Sequence, residues 1–198
     1  MAFPPNYEDD YLVEEEIIPD EKETNIMQND VHSANILLGE PPVDSEHTFL
    51  PIVKLIDFGA AVDSTIPGQG SGSQRNVWEI GQMMVCLITL ERLRQCEPGA
   101  GNGEFSMITD GPKVKTDAGL LIPLDGPNKR YKATDPWLLT LACACLATNP
   151  ESRPNLVELK KHVLEAVMIR DQEYYGREAE SDEAINDLSR KLILEPND

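Results

Sequence analysis

Hydrophobic positions along this chain change their period about one third of the way in. In the first sixty residues they come as short runs: Ile36-Leu37-Leu38, closed by Gly39, and Ile52-Val53-Lys54-Leu55-Ile56, which leads straight into Asp57-Phe58-Gly59. Short apolar runs bounded by Gly, Pro or polar clusters read as strands. The polar stretch 41–47 lies between them as a turn region, so the pair predicts a small hairpin with polar residues at its ends. Residues 1–25 read as extended or disordered, with a short strand at 11–13.

Beyond residue 76 the period becomes helical. Val77, Ile80, Gly81, Met84, Leu87 and Ile88 recur at helical spacing, and Val85 and Cys86 fill the other face. A helix that is apolar nearly all round belongs in the centre of a fold, so 77–90 is expected to be the most buried element, with a second buried helix, 137–147, beside it. Pro154 suits the first turn of the next helix, whose stripe is Leu156, Leu159, Val163, Leu164 and Val167. A last amphipathic helix is expected over 182–194. The segment 63–75 reads as a mobile loop and 97–134 as irregular chain. Two Gly-rich stretches, Gly68-Gln69-Gly70-Ser71-Gly72 and Gly99-Ala100-Gly101-Asn102-Gly103, do not fit the G-x-G-x-x-G dinucleotide pattern and read as flexible loops. There are no internal repeats.

Composition narrows the function classes. The chain has 198 residues, 40% of them hydrophobic, and a formal net charge of −18. That length suits one domain with a sizeable core. The acid is concentrated at the ends: residues 7–24 hold nine carboxylates and one Lys, and 173–198 are also acid-rich. Such a chain is not built for nucleic acid or for anionic membranes, both of which need clustered Lys and Arg. The ends read as solvated termini, or as docking tails for a basic partner. Cys86, Cys96, Cys143 and Cys145 have no zinc spacing. In apolar helical runs they behave as small hydrophobes, which points to a reducing, intracellular compartment, cytoplasmic or nuclear. No signal peptide and no apolar run of about 20 residues is visible.

The residues that carry chemistry form an ordered set. Asp30 is followed five residues later by Asn35, then a strand, then a second strand ending in Asp57-Phe58-Gly59. This resembles the catalytic loop H-R-D-x-x-x-x-N and the D-F-G motif of eukaryotic-type protein kinases. Two later blocks are similar to that family. Asn76-Val77-Trp78-Glu79-Ile80-Gly81 is similar to the D-V-W-S-x-G start of its central helix, and Cys145-Leu146-Ala147-Thr148-Asn149-Pro150-Glu151-Ser152-Arg153-Pro154 to its C-L-x-x-x-P-x-x-R-P segment. The resemblance covers about residues 26–168.

The resemblance implies a mainly helical fold with short β-hairpins, the C-terminal lobe of a protein-kinase-like domain over 26–170. It is flanked by an acidic N-terminal segment, 1–25, and an acidic tail with a helix, 171–198. It implies transfer of the γ-phosphate of Mg-ATP to protein Ser or Thr. Asp30 would be the catalytic base, with His32 beside it at the position of a phosphate-binding Lys. Asn35 and Asp57 would be Mg²⁺ ligands, and with Phe58 and Gly59 they would bind the nucleotide. The chain departs from the family where Gln28 and Asn29 replace the His and Arg of H-R-D, where His32 replaces the Lys, and where Asn76 replaces the Asp that holds the loop's backbone N–H groups. The side-chain oxygen of Asn76 can still accept such a bond, without charge assistance. Arg153 loses the Glu of A-P-E and is expected to be partly exposed or to find another carboxylate. No Gly-rich loop, strand Lys or helix Glu of an N-terminal lobe precedes residue 26. Weak or absent activity of the isolated chain is therefore expected, with a protein substrate or partner chain. The alternatives are a pseudokinase-like interaction module and, because Asp30-Val31-His32 looks like their Asp-Leu-His, a relative of the aminoglycoside and choline kinases.

Overall fold

The computed structural model describes residues 25–39, 53–63, 70–91, 97–107 and 111–194. The expected strand at 11–13 and the turn 41–47 lie outside them. The described chain is mainly helical with three short antiparallel strand pairs, as the hydrophobic pattern predicts. It divides into two compact units: the chain through His32 together with Phe58–Glu158, and Ser33–Asp57 together with the chain from Leu159 onward.

The first unit is built on two helices, α1 (Gly72–Thr89) and α2 (Pro136–Cys145). α1 starts inside the segment read as a mobile loop. Ser71 is its N-cap: the hydroxyl accepts from Gln74 N, and the Gln74 side chain returns to the Ser71 N–H at 2.9 Å, a complete capping box. This pair satisfies two of the N–H groups that a helix start leaves open. α2 is capped by Asp135, which accepts from Trp137 N at 2.7 Å, with Pro136 in the first turn where its missing N–H costs nothing.

The helices meet closely at Gly81. A Cβ there would stand 2.8 Å from Cys145 Cβ and 2.9 Å from Leu146 Cγ, too close for any side chain. The most buried element is α2, not α1. Leu139 and Leu141–Cys145 are all buried, and burial continues through Leu146 and Ala147. On α1, Val77, Trp78, Met83 and Val85 are buried, but Leu87 is 71% exposed and Leu90 90%. Its apolar surface does run all round, yet the C-terminal turn projects out of the core.

The segment 97–134 is more ordered than its composition suggests. It holds a hairpin of Gly103–Phe105 against Val114–Thr116 and a 3-10 turn, Gly119–Leu121. Phe105, Ala118 and Leu121 from this segment join Trp78, Leu139 and Leu146 in the core. Asp117 organises the surrounding loops. It is fully buried and takes four donors: Trp78 Nε1 at 3.1 Å, Gly99 N at 3.0 Å, Gly101 N at 2.9 Å and Thr148 Oγ1 at 2.9 Å. The second Gly-rich stretch is therefore anchored rather than flexible.

Arg153 is half-buried and donates from Nε to Ala147 O at 2.9 Å and from a guanidinium NH₂ to Gln74 O at 3.1 Å. Burial lowers its pKa to about 10, while the charge of Asp117 opposes that shift. Its bonds to Ala147 and Gln74 end on carbonyl oxygens, and it is partly exposed, one of the two outcomes expected of it. Cys143 and Cys145 are buried thiols outside any disulfide, and burial pushes the Cys145 thiol up to about 12. They are core residues, as expected.

The second unit holds the hairpin of Ile36–Leu38 and Val53–Leu55, most of α3 (Leu156–Ile169), the short α4 (Gln172–Tyr175) and α5 (Asp182–Leu194). The hairpin and α5 fall where the sequence places them. Pro154 stands ahead of α3, whose start is closed by a reciprocal pair: Glu158 N donates to Asn155 Oδ1 at 2.8 Å and Asn155 N to Glu158 Oε2 at 3.0 Å. Of the apolar stripe, Leu159 is buried and Leu156 partly so, while Val163, Leu164 and Val167 are exposed. Among the described residues, no helix is long and apolar enough to cross a membrane.

Candidate functional site

Asp30 sits on a segment pinned to the first turns of α1. Ile26 and Met27 pair with Val62 and Asp63. The chain then turns at Asn29, whose φ is 60°, a left-handed conformation that Asn tolerates better than most residues. Asn76 holds the approach to that turn from both sides. Its side-chain oxygen accepts from Gln28 N at 2.9 Å, and its Nδ2 donates to Ile26 O at 3.0 Å. An Asp at this position would accept with a full charge but could not donate when ionised. Asn76 gives up charge assistance and gains a second tether.

Asp30 and His32 come together beyond this clamp. His32 Nε2 lies 3.3 Å from Asp30 Oδ1, and both side chains are partly exposed. A carboxylate beside an imidazole, open to solvent, is an arrangement suited to accepting and passing on a proton.

Asn35 and Asp57 stand at one end of the hairpin of the second unit. Its register pairs Ile36 with Leu55, Leu37 with Lys54 and Leu38 with Val53. One more rung closes the end, where Ile56 N donates to Asn35 O at 2.9 Å. Asn35 and Asp57 therefore flank the same end of the ladder. Asn35 is buried and Asp57 exposed. Asp57 has a φ of 59°, a value that bulky residues avoid. An amide oxygen and a carboxylate are hard donors of the kind Mg²⁺ takes, and a site with two protein ligands leaves the remaining positions to water and phosphate. The donor chemistry fits Mg²⁺.

Phe58 and Gly59 begin the first unit's second segment. Phe58 is 55% exposed, and its carbonyl accepts from Ala61 N at 3.0 Å in a tight turn. Gln28 is buried.

No protein-family model matches this chain, and no curated protein matches it. The residues and their geometry carry the functional argument.

Glu79, one turn beyond Asn76, escaped the sequence reading as a residue with a role. It is 3% exposed. Its Oε1 accepts from Arg75 Nε at 3.3 Å, and the Arg75 guanidinium stacks 4.5 Å from the centre of the Trp78 ring. Burial raises the Glu79 pKa above its ordinary 4.5; the Arg75 charge and the backbone N–H groups of Val31 and Asn29 pull the other way. Oε2 has no hydrogen-bond partner among the described residues. The available signal was a charged residue between Trp78 and Ile80 in an apolar run. Asp117 gave no comparable signal, since two of its four donors are backbone N–H groups.

Proposed function

We propose that this chain is a protein-kinase-like C-terminal lobe whose chemistry is transfer of the γ-phosphate of Mg-ATP to a protein Ser or Thr, and that by itself it is weak or inactive. The observation that carries this reading is the register that sets Asn35 and Asp57 at one end of a single hairpin, in a chain where Asp30 precedes Asn35 by five residues. In this reading Asn35 and Asp57 would hold Mg²⁺, which supplies charge neutralisation at the phosphates. Asp30 accepts the proton of the substrate hydroxyl and orients it. His32 lies against the Asp30 carboxylate and stands where the family has a Lys, whose fixed charge would stabilise phosphate more strongly. Phe58 and Gly59 border the metal-binding Asp in sequence.

A pseudokinase-like interaction module is the second reading. It is favoured by the hairpin's own surface, where Leu37, Leu38 and Val53 are about half exposed or more. Apolar side chains gathered on one small hairpin suit a partner chain that covers them.

A thermal-shift titration with Mg-ATP, paired with a γ-phosphate transfer assay on a Ser/Thr peptide, tests the proposal. Turnover is expected far below the roughly 1–100 s⁻¹ of active kinases. At about 1 mM Mg-ATP the stabilisation should stay below about 0.4 kcal/mol, as a Kd well above that concentration dictates. Both small signals should vanish in Asp57→Asn. Turnover that survives both Asp30→Asn and Asp57→Asn would contradict the assignment.

A further inference from the structure

Cations are scarce in this chain, 17 against 35 carboxylates, yet five of them fall within residues 113–132: Lys113, Lys115, Lys129, Arg130 and Lys132. The fold turns most of them outward. In Lys113-Val114-Lys115 and Arg130-Tyr131-Lys132 the middle residue packs on the core, and all four flanking cations are exposed. Arg130 ties the second triplet to the turn that follows the first: its guanidinium donates to Leu120 O at 3.4 Å. The Lys129 ammonium donates to Thr134 O. Nearby carboxylates offset little of this charge. Asp117 is buried beneath its own donors, which leaves Asp125 and, across the hairpin from Lys115, Glu104. The ion pairs among the described residues, at His32, Arg75 and Lys161, lie elsewhere.

We propose that this basic strip is the docking surface for the chain's own acidic segment, residues 7–24. Charge complementarity is the first ground: the segment holds nine carboxylates and one Lys. The whole-molecule field is the second. A free polyanion must approach a chain of net charge −18, which opposes it. A segment of the same chain is already part of that charge, and tethering gives it an effective concentration on the order of mM. Reach is the third. A Cβ at Gly72 would stand 2.7 Å from Asn25 O, and one at Gly70 2.6 Å from Pro150 Cβ. Thr148 N in turn donates to Lys115 O at 3.0 Å. Asn25 and Lys115 are therefore at most about 30 Å apart, and extended chain covers about 3.3–3.6 Å per residue. Glu14, Glu15 and Glu16, nine to eleven residues before Asn25, reach the strip. A basic partner for the acidic segment must then displace it from its own molecule.

The test is carbodiimide coupling of carboxylates to lysines in the full chain, mapped by mass spectrometry. At about 10 mM salt, where screening is weak, monomeric product should link residues 7–24 to Lys113, Lys115, Lys129 and Lys132 about fivefold more than to the exposed Lys54 and Lys161. At about 1 M salt, where charges farther apart than about 3 Å are screened, the excess should disappear. Lys113→Glu with Lys132→Glu changes two exposed side chains. It should reduce links at the remaining Lys115 and Lys129 by a similar factor.

Amide NMR of the full chain gives a second readout. Glu14→Gln, Glu15→Gln and Glu16→Gln together should shift the signals of Lys113, Lys115, Arg130 and Lys132, and leave those of the buried Leu139 and Cys143 unmoved. Links spread evenly over the exposed lysines would overturn the proposal, as would strip signals indifferent to the glutamate variant. Links found only in dimeric product would mean contact between copies and would overturn docking within one molecule. Strip signals that move with added single-stranded RNA or inorganic phosphate, but not with the glutamate variant, would assign the strip to a phosphate ligand instead. None of these results bears on Asn35 and Asp57, so the phosphotransfer reading would stand or fall separately.

Discussion

Replacing Asp117 by Ala strands four donors at once. Trp78 Nε1, Gly99 N, Gly101 N and Thr148 Oγ1 all end on its two oxygens, and the residue is fully buried. Each abandoned buried donor costs about 1–3 kcal/mol, partly relieved where a loop can open to water. Asp117→Ala should therefore lower unfolding stability by about 3–5 kcal/mol, measured as a fall in the urea midpoint. Asp117→Asn keeps one acceptor and should fall between. A loss under about 1 kcal/mol for Asp117→Ala would show that the loops hold without it. At this scale Asp30, Asn35 and Asp57 stand out in the sequence as polar residues at fixed spacing around two apolar runs. Asp117 was not legible, since two of its four donors are backbone N–H groups, which leave no mark on composition, and Glu79 showed only as a charged residue in an apolar run.

Helix ends decide the outcome for the elements. The C-cap of α1 is Leu90, at φ 57° and ψ 25°, with its N–H donating to Cys86 O. Left-handed backbone at a helix end is a glycine's conformation, and a branched side chain pays about 1 kcal/mol to adopt it. Leu90 gains little in return, being 90% exposed. Leu90→Gly should stabilise the chain by about 0.5–1 kcal/mol, after subtracting the greater unfolded-state freedom of Gly. A lower Tm in Leu90→Gly would mean that the exposed leucine is covered in solution. The cores of α1 and α2 and the whole of α5 were legible from periodicity. The start of α1 was not, because Ser71 and Gln74 sit in a Gly/Ser-rich stretch whose composition masks a capping box. α3 carries the apolar stripe that periodicity places on it, but periodicity states which residues share a face and not whether another element covers it.

Charge dominates the behaviour of the molecule as a whole. At −18, any divalent cation will be drawn to the chain, first of all to its acidic ends. Binding of Mg²⁺ in itself therefore says little; its location is what matters. The central claim is that Asn35 and Asp57, set at one end of a single hairpin, are the metal-binding pair of a phosphotransfer site. The most direct measurement is a titration with substoichiometric Mn²⁺ as a paramagnetic substitute for Mg²⁺, read by amide NMR. The account predicts that the signals of Asn35, Ile36, Ile56 and Asp57 broaden, that excess Mg²⁺ restores them, and that Asp57→Asn abolishes the effect. Broadening confined to residues 1–25 and 171–198, with the hairpin-end signals intact, would contradict it.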